Sequence, residues 1–175
     1  MLRSKLLKLL SATALVGVAA LTGLLAMSDS AEAQKAKKPP VEHEVVVTIE
    51  RLKALDRMDA FSRADFFARV TIDGAQQSTP TARQAEEIRP NWQIVKRVPA
   101  GVRDIKLEVF DKDVTKADLI DINRVPNKRD LDFKIDTRSC RVIGFAGVSR
   151  CGAAISRAGT ENKKADLTFN VTVRK

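Results

Sequence analysis

Residues Ala165, Leu167, Phe169, Val171 and Val173 are apolar, and Asp166, Thr168, Asn170 and Thr172 between them are polar. A side-chain period of two belongs to a strand with one face in a core and the other in water. Such a strand cannot stand alone, because its apolar face has to be covered by further sheet. The same alternation recurs at Val45, Val47 and Ile49, at Ile105, Leu107 and Val109, and at Leu131, Phe133 and Ile135. Phe67-Ala68-Arg69-Val70-Thr71-Ile72 runs into Asp73-Gly74, a strand entering a tight turn. Trp92-Gln93-Ile94-Val95 adds another short strand. Only residues 81–88 read as helical, and residues 144–159 read as a loop with one strand fragment. The pattern predicts an all-β sandwich.

The first residues follow a different logic. Arg3, Lys5 and Lys8 precede an uncharged apolar run from Leu9 to Met27, and Ala31-Glu32-Ala33 follows. A basic start, an apolar middle and a small-x-small site form the pattern of a secretory signal, cleaved after Ala33. The alternative is an uncleaved anchor over residues 9–27, whose length approaches that of a spanning helix. Gln34 to Pro40, with three lysines and a Pro pair, reads as a solvated linker. The chain is therefore divided into a signal peptide over 1–33, a linker over 34–43 and a β-sandwich domain over 44–175. The expected location is secreted or periplasmic. In that oxidising setting Cys140 and Cys151 are expected to form a disulfide.

Composition excludes several kinds of chemistry. One His, no Tyr and one Trp leave no Ser–His or Cys–His machinery, no multi-His metal site and no aromatic platform for single-stranded nucleic acid. His43, at the domain entrance, is expected to be solvated, and Trp92 to pack in the core. Asn170-Val171-Thr172 fits a glycosylation acceptor and equally an outward-facing strand. What stands out is acidic. Asp56, Asp59 and Asp65 fall between the first two strands. Asp111, Asp113 and Asp118 follow the strand that ends at Phe110, with Asp121 just beyond. Carboxylates on two strand-end loops can converge, and a hard cation such as calcium takes oxygen ligands of this kind. Held together without a counter-ion, they would repel one another.

These segments resemble the C2 domain family over about residues 44–122. Leu52-Lys-Ala-Leu55 with Asp59 and Asp65, followed by Phe66-Phe67-Ala68-Arg69-Val70, is similar to that family's first calcium loop and the strand after it. Arg89-Pro90-Asn91-Trp92 is similar to its Asn-Pro-x-Trp turn with Pro and Asn exchanged, and Val109-Phe110-Asp111-Lys112-Asp113 with Asp118 to its third loop. The resemblance implies an eight-stranded antiparallel sandwich that binds calcium at one end and docks there on phospholipid. Carried over residue by residue, it implies Asp59, Asp65, Asp111, Asp113 and Asp118 as calcium ligands. Asp56 leaves the register of the first loop open, and Asp56 and Asp121 are possible extra ligands. The usual Asp-Pro-Tyr is Asp65-Phe66-Phe67 here, and the likeness fades over residues 124–159, which are longer than a closing hairpin needs.

Charge narrows the partner. The chain carries a formal +9. Residues 56–65 and 111–118 each sum to −1, and without residues 1–33 the remainder is +10. A basic body with an acidic end favours an anionic membrane surface once cations neutralise that end. Nucleic acid is not expected, given export and the lack of a long basic run. Met58, Phe61 and Val114 are candidate membrane-contacting residues, the alternative being that they pack beneath their own loops. The expected function is a non-enzymatic, exported, calcium-dependent phospholipid-binding module. The alternative is an extracytoplasmic scaffolding or adhesive sandwich that binds a protein partner and uses calcium only to stiffen its loops.

Overall fold

The computed structural model describes residues 38–58, 63–114, 116–145 and 147–175. The signal segment and the anchor alternative, like Asp59 and Phe61, lie outside the described residues. Among the described residues, thirteen strand segments run in chain order as β1 (Glu42–Ala54), β2 (Ala64–Ile72), β3 (Ala75–Ser78), β4 (Ala82–Ala85), β5 (Glu87–Ile88), β6 (Trp92–Pro99), β7 (Val102–Lys112), β8 (Ala117–Ile120), β9 (Leu131–Asp136), β10 (Arg141–Phe145), β11 (Gly147–Arg150), β12 (Ile155–Ala158) and β13 (Ala165–Arg174). One sheet orders β12-β13-β1-β5 with β6 also on β1. The other orders β11-β10-β9-β7-β2-β3, with β4 beside β2 and β8 beside β7. This is the expected antiparallel sandwich, cut into more and shorter pieces than eight strands because several edge segments are four residues or fewer.

The core is where the alternation places it. Val45, Val47 and Ile49 of β1 are buried, Val47 and Ile49 opposite the buried Val171 and Phe169 of β13 and Val45 opposite the half-buried Val173. Between Ile49 and Arg51 the register shifts by one residue, so Glu50 is an extra residue in β1. That bulge moves the buried phase from odd to even positions, and Leu52 lies opposite Leu167 in the core. Without it, Leu52 would point to water. Phe66, Ala68, Val70 and Ile72 of β2 close on the same core from the second sheet. Asp73 and Gly74, at φ 49° and 79°, make the tight β2–β3 turn with two left-handed residues, the geometry that matches strand twist.

Three expectations change. Residues 81–88 are strand, β4 against β2 and β5 against β1, because two open sheet edges offer ladder hydrogen bonds there. Gln84, at φ 48°, also breaks any helical run. Residues 144–159 hold two strand fragments, not one: β11 extends the β10 hairpin and β12 joins the other sheet on β13. Far from solvated, His43 is 7% exposed, its Nδ1 3.0 Å from the Thr137 carbonyl. Asn170 holds the outward position in mid-β13 that one of its two readings gave it, its amide donating to Glu50 at 2.6 Å. Trp92 packs against the core as expected.

Candidate functional site

Strand direction gathers the aspartates. Ala54 of β1 pairs with Ala165 of β13, Phe66 of β2 with Asp111 of β7, and Asp111 with Asp118 of β8. The end of β1, the start of β2, the β7–β8 hairpin and the segment before β13 therefore lie at one end of the sandwich. Asp111 is 1% exposed, and its Oδ1 accepts the backbone amide of Asp65 at 2.7 Å. Asp65 Oδ1 in turn accepts the Gln84 amide at 2.6 Å. These two bonds fix the start of β2 to the end of β7 and bring the two aspartate loops into contact. Asp113, half-buried, caps the hairpin tip: its amide donates to the Lys116 carbonyl at 3.1 Å. Val114 beside it is fully exposed and lines a cavity of about 400 Å³ with Phe67, Lys112, Asp113 and Lys116.

The remaining candidates are engaged otherwise. Asp118 accepts Lys163 Nζ at 2.6 Å and Lys116 Nζ at 3.1 Å. The hydrogen bond from Lys163, then that from Lys116, holds its carboxyl below the usual carboxylate range. Asp56 lies 3.6 Å from Lys164. Asp121 is not at the loop surface at all. It is fully buried, with Oδ1 accepting the Asn123 amide at 2.9 Å and Oδ2 accepting the Thr160 and Glu161 amides at 2.8 and 2.7 Å. It clamps the segment before β13 to the end of β8. Among the two described membrane-contact candidates, Val114 protrudes whereas Met58, 4% exposed, belongs to the core beneath its loop.

The donor chemistry of Asp65, Asp111 and Asp113 suits a hard cation. Among the described residues no three His, Cys, Asp or Glu side chains converge closely enough to hold a metal ion. At Asp118 and Asp56 the counter-charge is a lysine of this chain. Lys163 and Lys164 were invisible to sequence reasoning because they meet their partners across 45 and 108 positions. Their one signal was position: both immediately precede β13, at the end where the aspartates gather. Residues 124–159, longer than a closing hairpin needs, supply β9 to β12. Just before β9, Arg129 Nη1 bonds the Leu119 and Asn162 carbonyls at 3.1 and 3.0 Å and braces the same end.

The chain matches the C2 domain family over residues 43–137 and belongs to that family. A search of curated protein sequences finds no match. Among solved structures, a C2 domain of plant Extended Synaptotagmin 1 is similar at 12% identity and TM-score 0.54, over 77% of this chain and 95% of that one. The two calcium-bound C2 domains of Extended-Synaptotagmin 2 match at 13% identity and TM-score 0.53, over 77% of this chain and 46% of theirs. Human GIVD cytosolic phospholipase A2 with an inhibitor matches at 14% identity and TM-score 0.53, over 77% of this chain. The chain spans 17% of that phospholipase's length. At these identities the likenesses concern the fold alone.

Proposed function

We propose that the protein is an exported, non-enzymatic module that docks on anionic phospholipid surfaces through its aspartate-bearing loop end when calcium is present. The observation that carries the reading is the Asp65 amide bonded to the Asp111 carboxylate, which joins the two acidic loops at one point. Asp65, Asp111 and Asp113, with Asp59 from the sequence between β1 and β2, would hold the ion. Calcium, when bound, supplies positive charge and open coordination positions for headgroup oxygens. The chain's own residues supply the rest. Val114 protrudes at the hairpin tip, and the basic body adds about 1 kcal/mol per Lys or Arg near an anionic surface. The calcium-bound structure of a protein with this fold supports the assignment. The apolar N-terminal run supports export, as does the Cys140–Cys151 disulfide, since such bridges persist in oxidising compartments.

The lysines favour a second reading. Lys163 and Lys116 on Asp118, with Lys164 on Asp56, already neutralise part of the loop end. On that reading the protein is an extracytoplasmic scaffolding or adhesive sandwich, and calcium at most stiffens its loops. Sedimentation with phosphatidylglycerol-containing vesicles separates the two. The first reading expects binding at about 1 mM calcium and much less with chelator. It also expects Lys163→Gln with Lys116→Gln, which together release Asp118, to lower the calcium needed. Absence of vesicle binding in either condition supports the scaffold, and equal binding in both overturns the calcium role.

A further inference from the structure

The residues at the other end of the sandwich repeat a chemistry across a hairpin: Cys140-Arg141 enters β10 and Arg150-Cys151 leaves β11. The register puts Arg141 directly opposite Arg150. The disulfide joins the next residues out, with Cα atoms 5.2 Å apart, and the Cys151 amide donates to the Cys140 carbonyl at 3.0 Å. Val142 is buried in the core, so the alternation turns Arg141 and its partner Arg150 to the outer face, where both are exposed. They line a depression of about 610 Å³ together with Ser139, Cys140 and Cys151.

Like charges directly opposite one another in a ladder repel. Among the described residues neither guanidinium has an ion-pair partner. The carboxylate in the same row is Asp136, opposite Arg141 on β9, and its oxygens already accept the Arg138 amide at 3.0 Å and the Ser139 hydroxyl. Those bonds, the hydroxyl's first, hold its carboxyl below the usual range. Lys175, with Nζ 3.3 Å from the Arg138 carbonyl, adds a further cation nearby. A strand pair with two guanidinium forks side by side, braced by a disulfide, presents several N–H donors to one guest.

We propose that the disulfide-braced Arg141–Arg150 pair binds a tetrahedral oxyanion of the phosphate class, at the end of the sandwich away from the aspartates. A phosphate takes two parallel N–H···O bonds from each guanidinium and turns their repulsion into shared attraction. The disulfide holds the strand ends together, so little ordering is left for the guest to cost. Such a phosphate arrives either free or as a lipid phosphomonoester, which presents the same oxygens.

The test uses the full chain in chelator, which silences the calcium end. Inorganic phosphate is titrated while the arginine Nε–Hε signals are followed by NMR. The Arg141 and Arg150 signals shift together, and Arg141→Gln or Arg150→Gln weakens the response about tenfold, the loss of one charge-assisted fork. Arg141→Lys, which keeps charge and loses the fork, falls between. In phosphate-free buffer Arg141→Gln melts no lower than the parent, because a repulsion has been removed. Vesicles containing phosphatidic acid then either compete with phosphate, identifying a headgroup, or leave it bound, identifying the free anion; each supports the site. Unmoved Arg141 and Arg150 signals in the parent, or glutamine variants that bind phosphate as the parent does, overturn it.

Discussion

Replacing Asp121 with alanine removes one buried carboxylate and strands three backbone amides, those of Asn123, Thr160 and Glu161. Each amide left without an acceptor costs about 1–3 kcal/mol where water cannot reach it. Thr160 lies at the surface and can recover water by a small shift, so the whole change is expected to cost about 3 kcal/mol. For a domain of this size that lowers Tm by roughly 12 °C. Asparagine is the informative companion. Its single carbonyl can serve Thr160 and Glu161 but not Asn123 as well, so Asp121→Asn should fall by about a third as much. Thermal unfolding followed by circular dichroism reads both, and both losses should be the same in calcium and in chelator. A Tm drop of less than about 2 °C for Asp121→Ala would refute the clamp. A drop that appears only with calcium present would return Asp121 to the ligand set.

Other consequences follow from named contacts. Gly159 has room for no side chain, since a Cβ there would lie 2.2 Å from the Asp121 carbonyl oxygen; Gly159→Ala should cost about 1–3 kcal/mol in urea unfolding. The lysine bonds depress the carboxyl of Asp118, so its contribution is present above the ordinary carboxylate range and is lost as pH falls through the depressed value. Tm should hold steady from pH 7 down to about 5 and fall below about 4, with a shallower fall in Asp118→Asn. Opening the Cys140–Cys151 bridge by Cys140→Ser with Cys151→Ser should cost about 2–4 kcal/mol and leave calcium binding unchanged, because the bridge lies at the opposite end from Asp111.

Most of the architecture could be read from side-chain period. β9 keeps strict alternation from end to end, β13 from Ala165 to Thr172 and β7 from Asp104 to Val109, and the burial follows it residue by residue there. β1 hides a change of phase at Glu50, because a bulge leaves no mark in composition. Residues 81–88 misled because short edge strands are formed by their partners' open hydrogen bonds rather than by their own propensity. At the site, the meeting of Asp65 and Asp111 could be expected from two loops leaving the same ends of paired strands. The lysines that hold Asp118 and Asp56, and the amides that hold Asp121, could not. Those partners come from the segment before β13, and only closure of the sandwich brings it alongside. His43 was misplaced and Met58 kept two readings for a related reason: each sits at a loop or strand end, where sequence alone does not say which side the chain turns.

Calorimetric titration of calcium into the protein shows whether the aspartate end takes the ion. Calcium bound there gives saturable heat with a dissociation constant of about 0.1–1 mM, the range of extracellular modules, and Asp111→Asn with Asp113→Asn abolishes it. A parent protein that gives no heat through about 5 mM calcium, or a double variant that titrates as the parent does, would contradict it.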